Sequence, residues 1–214
     1  MGDMEVGLVR RSRSEMIEET RAKLMRAGRK AFAEKGYAGA SMDDFTAEAG
    51  LTRGALYHHF GDKRGLMQAV VEQIDSDMAA RARAIGRKAA TPWRALLAEG
   101  AAYIEMAMDP EVQRIVLLDG PAVLGDPSQW PSQDGCLQAT IQAVRALIEE
   151  GQLKTVDAEA AARLLNGAAL NAAMWVATAD DPKAVLGRAT EAFNAFASGL
   201  LAPSQEAPLH EGTA

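Results

Sequence analysis

The chain has 214 residues, 48% hydrophobic and 24% charged, with 23 Lys/Arg against 29 Asp/Glu and a formal charge of −6. That composition excludes a wholly disordered chain, and the length allows one or two domains with a real core. The single cysteine, Cys136, excludes an internal disulfide; no apolar run reaches the ~18 residues of a membrane span, and no apolar stretch follows Arg10, Arg11 and Arg13 as it does in a signal peptide.

The charge is unevenly spread. Residues 1–65 hold 12 Lys/Arg and 10 Asp/Glu, whereas residues 66–214 hold 11 and 19. A mildly basic front and an acidic remainder suggest two units with different partners.

Almost every segment reads as helix. Residues 1–13 read as a mobile tail. A first helix over 14–35 carries an apolar stripe of Leu24, Ala27, Ala31 and Phe32 and stops at Gly36, a left-handed C-terminal glycine. Ser41, with Asp44 three residues on, makes a capping box for a helix over 42–49 that stops at Gly50. Thr52 caps 53–60, and Asp62 precedes a helix over 63–89. Thr91-Pro92 and Asp109-Pro110 open helices over 92–108 and 110–119, each joining a capping side chain to a proline whose missing N–H costs nothing there. Gly120 to Pro131, with three prolines and two glycines, reads as a loop. Helices follow over 129–150, stopping at Gly151, over 158–179 behind Asp157, and over 182–201 behind Asp181-Pro182. Residues 203–214 read as a second tail. No stretch alternates as a strand does, so the expected fold is all-α with about nine helices. The domain boundary falls within the helix that starts at Lys63, leaving an N-terminal three-helix domain over 14–65 and a larger helical domain over 66–202.

The most informative segment runs from Met42 to Phe60. A short helix, a tight turn at Gly50-Leu51-Thr52 and a second short helix make a helix-turn-helix. Phe45, Ala49, Leu51, Leu56 and Phe60 fall where the two helices bury apolar side chains. The opposite face carries Arg53, Gly54, Tyr57 and His58. A second helix of this kind enters the DNA major groove with its N-terminal residues at the base edges. Arg53 can donate two hydrogen bonds to guanine O6 and N7. Gly54 lets the backbone come close, and Tyr57 and His58 can reach a phosphate or a thymine methyl. Ser41 and Thr52 sit at helix N-termini, which suit phosphate, and Lys63 is a further phosphate contact. The plainer alternative is a helical corner with a solvated polar face.

Phe32-Ala-Glu-Lys-Gly-Tyr37, Ser41-Met42, Ala49-Gly-Leu-Thr-Arg-Gly-Ala-Leu-Tyr-His-His-Phe60 and Lys63-Arg-Gly-Leu66 together resemble the N-terminal domain of the tetracycline-repressor (TetR) family. The likeness covers about residues 20–70, and Leu117-Leu-Asp-Gly-Pro-Ala122 also resembles a subgroup of these regulators. Thr46 stands where such motifs usually have alanine, and Gly61-Asp62 replaces a more often basic or polar pair. The resemblance implies a DNA-binding transcriptional regulator, a homodimeric repressor in the cytoplasm with no cofactor and no enzymatic activity. It would bind a palindromic operator in double-stranded DNA with its reading heads about one helical turn, ~34–36 Å, apart. A small molecule in the C-terminal domain would release it. A ligand-independent activator and an all-helical scaffold without DNA binding stay open.

The remainder speaks to dimerisation and a ligand. Residues 158–179 contain ten alanines in 22 positions, together with Gly167. Small side chains permit close helix approach, so helices 158–179 and 182–201 can pair with a second copy as a four-helix bundle, or pack inside one subunit. Trp93, Tyr103, Met106, Met108, Trp130, Met174 and Trp175 are large and adaptable enough to line an apolar ligand site, with Arg114, Asp119 or Asn171 as polar anchors. The same residues suit an ordinary core. An apolar or amphipathic effector is the resulting expectation.

Other chemistry finds no support. His58 and His59 are adjacent and point to different helix sides, unlike an i, i+4 metal pair. His210 lies in the C-terminal tail, and no Cys/His cluster suits zinc. Asp43-Asp44 and Asp180-Asp181 suit capping and the helix dipole rather than acid–base catalysis. Cys136 reads as a structural thiol.

Overall fold

The computed structural model describes residues 12–203. Residues 1–11 and 204–214, including Arg10, Arg11, His210 and most of both expected tails, lie outside the described residues. Ser12 and Arg13 do not belong to a tail. Ser12 caps α1 (Arg13–Gly39) by accepting from Glu15 N–H, while Glu15 accepts from the Ser12 N–H, a capping box spelled by Ser12-x-x-Glu15.

Nine α-helices are present among the described residues: α1, α2 (Met42–Ala49), α3 (Arg53–Phe60), α4 (Lys63–Gly86), α5 (Pro92–Glu105), α6 (Gly120–Leu124), α7 (Pro131–Glu149), α8 (Ala158–Thr178) and α9 (Pro182–Ser198). The predicted caps are in place. Ser41 accepts from Asp44 N–H, Thr52 from Ala55, Asp62 from Gly65, Thr91 from Arg94, Asp157 from Ala160 and Asp181 from Ala184. Asp109 accepts from Glu111 N–H. Gly50 ends α2 at φ 64°, ψ 35°, the left-handed conformation a residue with Cβ resists. Gly36, at φ 70° and ψ 172°, breaks α1 before a last short turn.

Three segments differ from the sequence reading. Residues 120–131 are not one loop. Gly120–Leu124 winds as α6, and Pro127–Gln129 makes a 3₁₀ turn whose cap is Asp126. Trp130 closes the segment, its ring on Gly120 and its Nε1–H donating to Gly125 O at 3.2 Å. Proline at a first helical turn starts a helix as readily as it ends one. Residues Val112–Asp119 form a π-helix rather than an α-helix, and Met106–Met108 form a 3₁₀ turn at the end of α5. The wider π winding turns residues five apart towards one side, and Arg114 and Asp119 pair there at 3.3 Å.

α1, α2 and α3 pack around Leu24, Phe32, Phe45 and Leu56, each fully buried. Phe45 meets Phe32 edge-on at 5.2 Å between centroids. Thr46, 7% exposed, satisfies its hydroxyl within α2 by donating to Met42 O. α4 runs on from this head into the body, where it packs on α5 and α7. The head is tied to the π-helix and to Glu111, just before it, by three polar contacts. Arg29 makes a two-pronged ion pair with Glu111 at 2.7 and 2.6 Å, the Tyr37 N–H donates to Asp119 at 2.7 Å, and the Arg114 guanidinium lies on Gly36. A smaller apolar cluster of Val144, Leu147, Leu165 and Ala197 joins α7, α8 and α9.

Candidate nucleic-acid interface and a cavity in the body

The sequence of α3 separates its two sides. Leu56 is fully buried beneath it and Phe60 is partly buried, while Arg53, Gly54, Tyr57 and His58 are exposed. Tyr57, 56% exposed, is an aromatic side chain kept on the surface where nothing in the fold requires it. Ser41, Thr52 and Lys63 lie at the starts of α2, α3 and α4 respectively. All seven predicted DNA-contacting residues thus lie on, or cap, the three consecutive helices α2, α3 and α4.

Their surroundings differ. The Thr52 oxygen accepts from Ala55 N–H and leaves the hydroxyl hydrogen free to donate. The Ser41 hydroxyl already donates to Asp44 Oδ2 at 2.8 Å. Hydrogen bonds from Lys35 and Ser41 hold the Asp44 carboxyl down to about 2. Lys63 places its ammonium 4.3 Å from the centre of the Tyr37 ring. Arg53 forks onto Asp43, which holds that carboxyl below its ordinary range.

A cavity of about 620 Å³ lies in the body between α4, α5, α7 and α8. Leu96, Leu97, Leu137, Leu170 and Phe193 form apolar wall. Polar groups interrupt it: Arg83, Glu99, Tyr103, Gln133, Thr140 and Asn166. Burial pushes the Glu99 carboxyl up, with Arg83 and Arg87 acting against it. Burial likewise raises the Tyr103 phenol and the Cys136 thiol, which leaves Cys136 a weak nucleophile. Behind Gln133 lies Asp75, 4% exposed. Its Oδ2 accepts from Ser132 and Gln133, and its Oδ1 has no hydrogen-bond partner among the described residues.

Of the seven residues anticipated for a ligand, Tyr103 alone lines this cavity. Trp93 packs on the smaller apolar cluster, Met106 is in the main core and Met174 is against it. Arg114 serves the contact between head and body. Asn171 and Trp175 are on the outer side of α8, exposed. Trp130 and Met108 fill the core and its edge. Size and adaptability select for core as much as for a cavity. The cavity's own signal is polar residues inside apolar helical stripes: Glu99 among Leu96, Leu97 and Tyr103, and Thr140 beside Leu137 and Ile141.

Leu164 (64% exposed) and Trp175 on α8, and Phe196 (55%) on α9, are large apolar side chains left exposed. Ala192, Ala195 and Gly199, at α9 and its end, are small and also exposed. No group of three or more metal-binding side chains, and no helix long and apolar enough to cross a membrane, occurs among the described residues.

The chain matches two family models, "Bacterial regulatory proteins, tetR family" over residues 24–70 and "Tetracyclin repressor-like, C-terminal domain" over residues 93–200. The crystal structure of a TetR-family transcriptional regulator from Pectobacterium atrosepticum is similar, with 47% identity and a TM-score of 0.81, over 90% of this chain and 99% of that one. The transposon Tn10 TetC protein of Escherichia coli is 28% identical over 158 residues, 72% of this chain and 78% of that protein. The transcriptional regulator TtgR of Pseudomonas putida is 40% identical over 67 residues, 31% of each chain.

Proposed function

The chain belongs to the tetR family of bacterial regulatory proteins, DNA-binding transcriptional regulators rather than enzymes, and from that premise we propose that it is a homodimeric repressor released from a palindromic operator by a small-molecule effector. The observation that carries the reading is the coexistence in one chain of an exposed polar face on α3 and a 620 Å³ cavity in the body. Arg53, Gly54, Tyr57 and His58 read or approach the bases, while Thr52, Lys63 and Ser41 meet phosphates, Ser41 after exchanging its bond to Asp44. The cavity takes an amphipathic molecule of ordinary ligand size, its apolar part against Leu97, Leu170 and Phe193 and its polar part at Tyr103, Glu99 and Gln133. Two copies join through α8 and α9, which covers Leu164, Trp175 and Phe196. The regulator works in the cytoplasm, beside the DNA it controls.

Selection of bound sequences from a random DNA pool, followed by binding at several salt concentrations, tests the DNA reading. The expected result is a palindrome and a log–log salt slope near −0.9 per phosphate contact. Absence of salt-sensitive binding would remove it. Compounds that stabilise the protein thermally are then tested for release of the selected DNA. Binding without any change in DNA affinity would exclude the effector role, because coupling is reciprocal. Transcription that rises when the protein is added would make it an activator.

A further inference from the structure

Arg53 is the first residue of α3, and its guanidinium is already held. Nε donates to Asp43 Oδ1 at 2.7 Å and Nη2 donates to Asp43 Oδ2 at 2.5 Å, a parallel fork joining the start of α3 to the first turn of α2. A guanidinium offers five N–H donors in one plane. The fork consumes the Nε hydrogen and one Nη2 hydrogen. Three remain, and the outer edge formed by Nη1 and Nη2 still presents two parallel donors. Guanine displays its O6 and N7 acceptors in the major groove at the spacing this edge matches.

The fork has little to do for the fold. Both side chains are largely exposed, 61% for Arg53 and 69% for Asp43, and exposed pairs add little to stability. The first turn of α2 is already capped by the Ser41–Asp44 box, and Asp44 has its own cation in Lys35. What the fork changes is where Arg53 points. A free arginine gives up much side-chain freedom when it binds, and a held one has given it up beforehand. A carboxylate so near the reading face also repels phosphate, so it lowers attraction to DNA in general.

We infer that Asp43 is a positioning residue for base reading: it presents the outer edge of Arg53 to one guanine and trades general DNA affinity for preference at that base pair. This rests on the reading of α3 as the base-contacting helix. It makes a prediction opposite to simple charge, under which loss of an acid tightens every complex alike.

The test uses the full-length protein and its Asp43→Asn and Arg53→Ala variants. Each is measured against the DNA selected from a random pool, against single-base substitutions of it, and against random DNA at one salt concentration. Arg53→Ala locates the guanine as the position whose preference disappears. Asp43→Asn is expected to lose preference at that same position by roughly ten-fold, within the range of one bidentate base contact. Preferences elsewhere are kept, and affinity for random DNA stays level or rises. Thermal unfolding of Asp43→Asn should be little changed, which separates positioning from folding. Tighter binding to selected and random DNA alike, with every base preference intact, would overturn the inference and leave Asp43 a plain negative charge. If Arg53→Ala alters no base preference while salt-sensitive binding persists, α3 does not read bases through Arg53, and the inference falls with that assignment.

Discussion

Arg53 and Lys63 both carry a positive charge in the head, yet their settings differ. Lys63 opens α4 with its ammonium over Tyr37, a contact that orients it without using its hydrogen-bond donors. Lys63→Ala should therefore weaken binding to all sequences alike and reduce the salt slope by about 0.9, whereas Arg53→Ala should cost about 1–3 kcal/mol on the selected sequence and far less on random DNA. Filter binding across salt and sequence separates the two. Asp75 shows what burial does to a charge. Its carboxyl is pushed up by burial, with hydrogen bonds from Ser132 and Gln133 pulling the other way. Between the unfolded value of about 3.9 and the raised native value, the native state holds the proton more tightly, so stability falls as pH rises through that window. Asp75→Asn keeps an acceptor for both donors and removes the charge. It should raise Tm at pH 8, with the gain shrinking as pH falls towards 4. A lower Tm than the parent at pH 8 would mean that the ionised carboxylate is stabilised in place.

At the scale of elements, the head depends on very few side chains. α2 and α3 have eight residues each, too short to persist alone, so packing must hold them. In α2 the large apolar side chain that is fully buried is Phe45, against Phe32. Phe45→Ala should cost about 3–5 kcal/mol and abolish DNA binding. Far-ultraviolet circular dichroism during heating should then show the head melting below the body. The turn between the helices was legible because Gly50 and Thr52 act locally, one through its backbone and one through its cap. The π-helix at Val112–Asp119 was not, since the pattern Val112, Ile115, Val116 fits α winding equally well. Its wider turns accompany contacts to a distant segment, with Asp119 accepting from Tyr37 N–H and Glu111 gripping Arg29. The short α6 was hidden by Pro121, a residue that serves as a start when an apolar partner such as Trp130 covers the turn.

At the scale of the molecule, the total of −6 averages a head of slight positive charge with an acidic body. With so little bulk attraction, the proposed reading needs affinity from placed residues and from two heads in a dimer. If α8 and α9 join two copies, Leu164→Glu combined with Phe196→Glu should give a monomer by sedimentation, because four carboxylates would meet across the two-fold axis. The heads would remain folded, and affinity for the full palindrome should drop towards that for one half-site. A dimer that survives both changes would place the interface elsewhere.

The sequence by itself determined the longer helices, most of their caps and the helix-turn-helix, because each of these is written in residues no more than a few positions apart. It also marked the exposed face of α3, where polar side chains interrupt an otherwise apolar period. Only the tertiary structure decided where the cavity lies, which large side chains became core, and that Asp43 grips Arg53. Those outcomes depend on residues brought together from different helices, as with Phe193 against Gly100 or Asp75 under Gln133. A helical period tells which side of a helix turns inward; it cannot tell whether the facing helix fills the space or leaves room for a ligand.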